Sequence, residues 1–78
     1  MSSFTDHIES DPQVMLGKPV VKGTRITVEL ILRKMADGYS SDEIIDMYPT
    51  LKTEHIHAAI SYAAAVIENE TVIDIKAA

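Results

Sequence analysis

Glu54, His55 and His57 stand close together in a chain that has no cysteine. Imidazole and carboxylate groups are ligands for divalent metal ions, so spacing decides what these residues can do. Each residue of a helix turns the chain by ~100°, so His55 and His57 point about 200° apart and do not share an ion. Glu54 and His57, at i and i+3, fall on one face. A pair of this kind is more often solvated than metal-bound, and no metal site is expected. A second stretch suggests phosphate chemistry, because Gly17-Lys18-Pro19 and Gly23-Thr24-Arg25 set glycines beside bases. A phosphate-cradling loop needs several glycines leading directly into a helix. Gly17 and Gly23 are isolated, and no Gly-Lys-Ser/Thr run is present. Neither a nucleotide cofactor nor a catalytic residue is expected: no nucleophile–base pair stands out, and Ser40 has a capping role. The chain reads as a non-enzyme.

The same stretch is unusual for its charge. The 78 residues carry a net charge of −5, yet five of the seven basic residues (Lys18, Lys22, Arg25, Arg33, Lys34) lie between positions 17 and 34. An acidic total argues against broad, nonspecific binding to nucleic acid. The five bases could still form a local rim for phosphates. The alternative is structural: Gly23 permits a positive φ at a bend, Thr24 hydrogen-bonds the local backbone, and Arg25 clamps Asp11 or another acid of residues 1–16, within the chain or across a dimer. The structural role is read as primary.

These residues need elements to position them. One domain is expected over residues 1–78. Residues 7–27 read as an extended arm with turn signals at Asp11-Pro12 and Gly17-Lys18-Pro19. Val14-Met15 and Pro19-Val20-Val21-Lys22 suggest two short strands, with a hairpin around Gly17. Helix one follows Thr27 as N-cap, with Val28, Ile31, Leu32 and Met35 on one apolar face and Gly38 as its left-handed terminus. Helix two carries a capping box, Ser40 with Glu43, flanked by Tyr39 and Ile44 at staple positions. Pro49 ends it near Tyr48. Helix three follows Thr53 and fades near Asn69, with Ile56, Ala59, Ile60, Ala63 and Ile67 inward. Its outward face then offers Glu54, Ala58, Ser61, Ala65 and Glu68, with His55 and Tyr62 at the edge. Residues 70–78 form a tail read as strand, helix extension or disorder.

A domain of this size buries only about 60% of the surface its unfolded chain exposes, so self-association is expected. The start of the sequence has no basic region leading into an apolar core, and no apolar run approaches the ~20 residues of a membrane span. With the lack of cysteine, this points to the cytoplasm.

The ordered motifs Asp11-Pro12, Gly17-Lys18-Pro19, Gly23-Thr24-Arg25-Ile26-Thr27-Val28, Gly38-Tyr39-Ser40 and Tyr48-Pro49, followed by an Ile- and Ala-rich helix, resemble the domain of unknown function 433 family. The resemblance implies a mainly α fold: a three-helix, homeodomain-like helix-turn-helix core with a short N-terminal β arm or hairpin, commonly a homodimer. It also implies kinship with antitoxins that pair with PIN-type nuclease toxins. One departure bears on DNA binding. Helix three stands where a recognition helix would, yet no Lys or Arg occurs from Glu54 to Glu68. Base readout leans on Arg, Lys, Asn and Gln, and phosphate anchoring on Arg and Lys. Ala58, Ser61, Tyr62 and Ala65 are therefore expected to face a protein partner. Three functions follow: an antitoxin-like regulator, a stand-alone transcription factor using the basic rim, and a dimeric interaction module with no nucleic-acid role.

Overall fold

Each helix is bounded by residues that satisfy its free backbone groups. The structure is a computed structural model and describes residues 4–69. In chain order it holds a single 3₁₀ turn (Phe4–Asp6), strand β1 (Ile8–Glu9), a second turn (Met15–Gly17), strand β2 (Val20–Val21), and helices α1 (Val28–Ala36), α2 (Ser41–Met47) and α3 (Thr53–Glu68). The expected plan of three helices behind a short N-terminal β pair is what the chain forms. The 70–78 tail lies outside the described residues.

The arm differs from expectation in its first strand. β2 pairs antiparallel with Ile8–Glu9, in the register Ile8↔Val21 and Glu9↔Val20, not with Val14-Met15. The reason lies in the backbone: Met15, Leu16 and Gly17 have φ of 50°, 59° and 82°. That is a left-handed turn, which cannot run as a strand. Asp11 makes a local turn by accepting the Gln13 N–H at 2.8 Å, and the Ser10 hydroxyl donates to the Gly17 carbonyl. Residues 10–19 are thus a folded loop between two very short strands.

The Gly23-Thr24-Arg25 segment is the bend of a small hairpin running from β2 into α1. The Thr24 N–H bonds to the Val21 carbonyl at 3.0 Å, and Val21 N–H bonds to the Ile26 carbonyl at 2.9 Å. Gly23, with φ 79°, sits where a type II turn demands a positive φ. Thr24 completes the bend: its hydroxyl donates to the Val21 carbonyl at 2.8 Å and accepts the Ile26 N–H at 3.0 Å. The structural reading of Gly23 and Thr24 therefore holds. Pro19, which has no N–H to give, accepts Val28 N–H at 2.9 Å through its carbonyl, so the loop is tied to the first turn of α1.

The helix ends follow their local signals. Thr27 caps α1 by accepting Leu30 N–H at 3.0 Å. At the other end, Gly38 N–H bonds to Met35 O and Tyr39 N–H to Lys34 O, the paired bonds of a Schellman motif with Gly38 at φ 98°. The Ser40–Glu43 box forms in both directions, at 2.8 and 3.1 Å. α3 begins one residue earlier than expected, with Thr53 inside the helix and Lys52 as N-cap. A lysine side chain has no acceptor. The Lys52 N–H is met instead by Nδ1 of His55, at 2.9 Å.

Ile8, Val21, Val28, Ile31, Ile44, Leu51, Ile56 and Ala59 form one buried cluster joining the arm to all three helices. Fully burying a Val, Leu or Ile contributes about 1.5–3 kcal/mol, so the arm residues Ile8 and Val21 are structural members of the core. No described helix is long and apolar enough to cross a membrane.

Candidate functional site

The basic rim does not survive folding as five free charges. Lys18 Nζ lies 3.1 Å from Glu29 Oε1, and Arg33 Nε lies 3.3 Å from Glu29 Oε2. These bonds, with Lys18 the stronger influence, hold the Glu29 carboxyl below its ordinary pKa. Lys34 packs its ammonium 5.3 Å from the centre of the Tyr39 ring, a cation–π distance. Lys22 and Arg25 remain exposed at the bend. Neither makes an ion pair among the described residues. Within the chain, the expected Arg25 clamp on Asp11 or another acid of residues 1–16 is not formed among the described residues; Asp11 accepts the Gln13 N–H.

The α3 face expected to await a partner is largely covered by the chain's own arm. Ala58 is only 5% exposed and belongs to the core. Tyr62 is half-buried and meets Phe4 edge to face, with ring centres 5.4 Å apart. His55 meets His7 in the same way, at 5.2 Å. Residues 55, 58 and 62 form a single stripe at helical spacing, and the segment from Phe4 to Glu9 lies along it. Ser61 is exposed and Ala65 half-buried. Covering one stripe turns another outward. Ile60 and Ile67, expected in the core, are 40% and 64% exposed.

A groove opens between α1 and α3. Its volume is about 470 Å³, and its wall is mostly apolar, with Pro19, Val28, Leu32, Tyr62, Val66 and Ile67 prominent. Glu29 and Arg33 stand at its edge. Sequence periodicity missed it because α1 and α3 had each been assigned one inward face. The side of α3 bearing Val66 and Ile67 is left over once the arm takes the neighbouring side.

The third feature joins His7 to the start of α3. His7, Glu54 and His55 each offer a ligand atom, and these atoms lie within 4.8 Å of one another. Burial, then the charge of His7, pushes the pKa of His55 down, so its ring stays neutral to lower pH than an ordinary histidine. Glu54 is thus placed beside His55 and His7. No sequence signal could have found His7, because the fold of the arm alone brings it to α3.

A crystal structure of a DUF433 member protein from Anabaena variabilis, at 2.00 Å resolution, superposes with a TM-score of 0.74 at 30% identity, over 78% of this chain and 60% of that one. The uncharacterized protein y4eO of Sinorhizobium fredii is 36% identical over 65 residues, which cover 83% of this chain. The chain spans only 29% of that relative's length. The pattern of the family described as "Protein of unknown function (DUF433)" matches residues 8–63, a span that holds β1, β2, α1, α2 and most of α3, and the chain belongs to that family.

Proposed function

We propose that this chain is an antitoxin-like regulatory protein that acts through protein contacts, pairing with a second copy across the α1–α3 groove and neutralising a PIN-type nuclease partner. The observation that carries the reading is the groove, a mostly apolar surface with Val66 and Ile67 exposed in its wall. Its rim favours a second copy. Glu29 sits between Lys18 and Arg33, so both signs are present, and a two-fold interface sets a patch against itself. An all-acidic rim would repel its own image. Both pairs are solvent-exposed and therefore contribute little, so exchanging partners across a dimer costs little. The nuclease partner rests on the family resemblance. An α3 free of Lys and Arg over residues 54–68 also suits a protein contact better than DNA readout.

Co-expression with a small nuclease encoded beside this gene tests the function. Co-elution of the pair and loss of nuclease activity support it. A neighbouring nuclease that neither binds nor loses activity counts against it.

One observation favours DNA contact as a second role: Lys22 and Arg25 project from the bend without ion pairs among the described residues. Anisotropy of a labelled fragment from upstream of the gene tests this. Affinity that falls steeply with salt, and falls further when both are changed to glutamate, supports phosphate contact. Equal binding by the double variant excludes that placement.

A further inference from the structure

We propose that His7, Glu54 and His55 form a site for a late first-row divalent cation of the zinc type, a clasp between the N-terminal arm and the start of α3. Two imidazoles and a carboxylate suit Zn²⁺, Ni²⁺ or Cu²⁺ and disfavour Mg²⁺, which takes oxygen ligands. The three ligand atoms lie within 4.8 Å of one another. Around a tetrahedral zinc with bonds of ~2.0–2.1 Å the ligand atoms are ~3.3–3.4 Å apart. The set must therefore contract by up to about 1.4 Å, to which exposed Glu54 contributes by rotating and the two rings by small shifts.

Both histidines are held from the backbone side. The His7 N–H bonds to the Phe4 carbonyl at 3.0 Å, and its carbonyl accepts Lys22 N–H at 2.7 Å. The His55 ring is held by the Lys52 N–H on Nδ1, at 2.9 Å. The perpendicular rings, 85° apart with centres at 5.2 Å, place imidazole edges around a shared space beside Glu54.

The chemistry of His55 adds a specific consequence. A neutral imidazole has one protonated and one bare nitrogen. With Nδ1 accepting from Lys52, the proton is on Nε2. A metal ion needs a bare nitrogen. Binding at Nε2 moves the proton to Nδ1, and binding at Nδ1 displaces the Lys52 N–H outright. Either way the ion replaces the cap of α3. Metal loading therefore fastens the arm to the helix and releases the Lys52 amide at the same time.

The test uses the chain without a polyhistidine tag, with Zn²⁺ and Mg²⁺ as probes. One equivalent of Zn²⁺ is expected to bind. At a hundredfold excess over Kd it raises Tm by about 10 °C or more, while Mg²⁺ has no effect. His7→Gln and Glu54→Gln, both outside the α3 cap, are each expected to weaken binding at least about tenfold while circular dichroism is unchanged. The Lys52 amide is expected to exchange faster with Zn²⁺ bound. Absence of Zn²⁺ binding overturns the proposal. So does binding that both variants leave undiminished, which would put the ion on another residue such as His57.

Discussion

Replacing Gly23 isolates backbone strain from packing. Its φ of 79° lies in the left-handed region, and a Cβ built there meets nothing within 4 Å. A substitution is therefore penalised by conformation alone. An L-residue held left-handed costs about 1–2 kcal/mol, and a β-branched one costs more than alanine. Gly→Ala changes also restrict the unfolded chain, which returns about 0.4–1 kcal/mol. Gly23→Ala should thus lose about 0–1.5 kcal/mol and Gly23→Val about 2 kcal/mol. Stability near 0.05–0.15 kcal/mol per residue gives this chain roughly 4–12 kcal/mol in all, so the valine variant keeps its fold but loses a large fraction of its margin. At about 4–8 °C per kcal/mol, its midpoint should fall by roughly 8–16 °C. Gly23→Asn should fall least, since asparagine tolerates this region. Thermal unfolding followed by circular dichroism reads the series. A valine variant within about 1 °C of the parent, or an asparagine variant worse than valine, would refute the left-handed bend.

Ser40→Ala should remove one half of the α2 capping box and lower stability by about 1 kcal/mol in urea unfolding. Phe4→Leu keeps an apolar side chain but loses the edge-to-face contact with Tyr62. It should cost about 0.5–1.5 kcal/mol, less if Tyr62→Leu is already present, which a double-mutant cycle reads. Acid should weaken the fold through Glu43 and Glu29. The Ser40 backbone bond lowers the pKa of Glu43, and the bonds from Lys18 and Arg33 lower that of Glu29. A carboxyl lowered by folding stabilises the native state above its unfolded pKa, near 4.5, and that gain is lost as pH falls through the lower folded value. The melting temperature should therefore fall below pH 4.5, and Glu43→Gln should flatten part of that fall; an unchanged profile in the variant would remove Glu43 from the account.

What the sequence disclosed and what it hid divide by distance along the chain. Thr27, Gly38 and the Ser40–Glu43 box each act within four residues, so local chemistry fixes them before any tertiary contact forms. The Gly23-Thr24 bend is equally local. The first strand was misplaced because a two-residue strand has almost no periodicity, and the left-handed turn at Met15 and Leu16 has no signature in residues that glycine does not mark. The faces of α3 were misassigned for a related reason. Ile and Ala surround most of that helix, so periodicity cannot choose between stripes, and the arm makes the choice by laying Phe4 on Tyr62 and His7 on His55. That contact buried Ala58, exposed Ile67, opened the groove and assembled the histidine cluster. The charge reading was incomplete because it set the five bases apart from Glu29, whose position on α1 lets it hold two of them.

The most direct test of the central claim is the mass of the chain in solution, measured by light scattering across a concentration series, for the parent and for Val66→Lys/Ile67→Lys. Both side chains are already exposed, at 41% and 64%, so the double change should leave the fold intact, which circular dichroism confirms. A dimer through the α1–α3 groove predicts twice the 8.6 kDa chain mass for the parent and the single-chain mass for the variant. A parent that stays at the single-chain mass at every concentration, or a variant that remains dimeric, would contradict it.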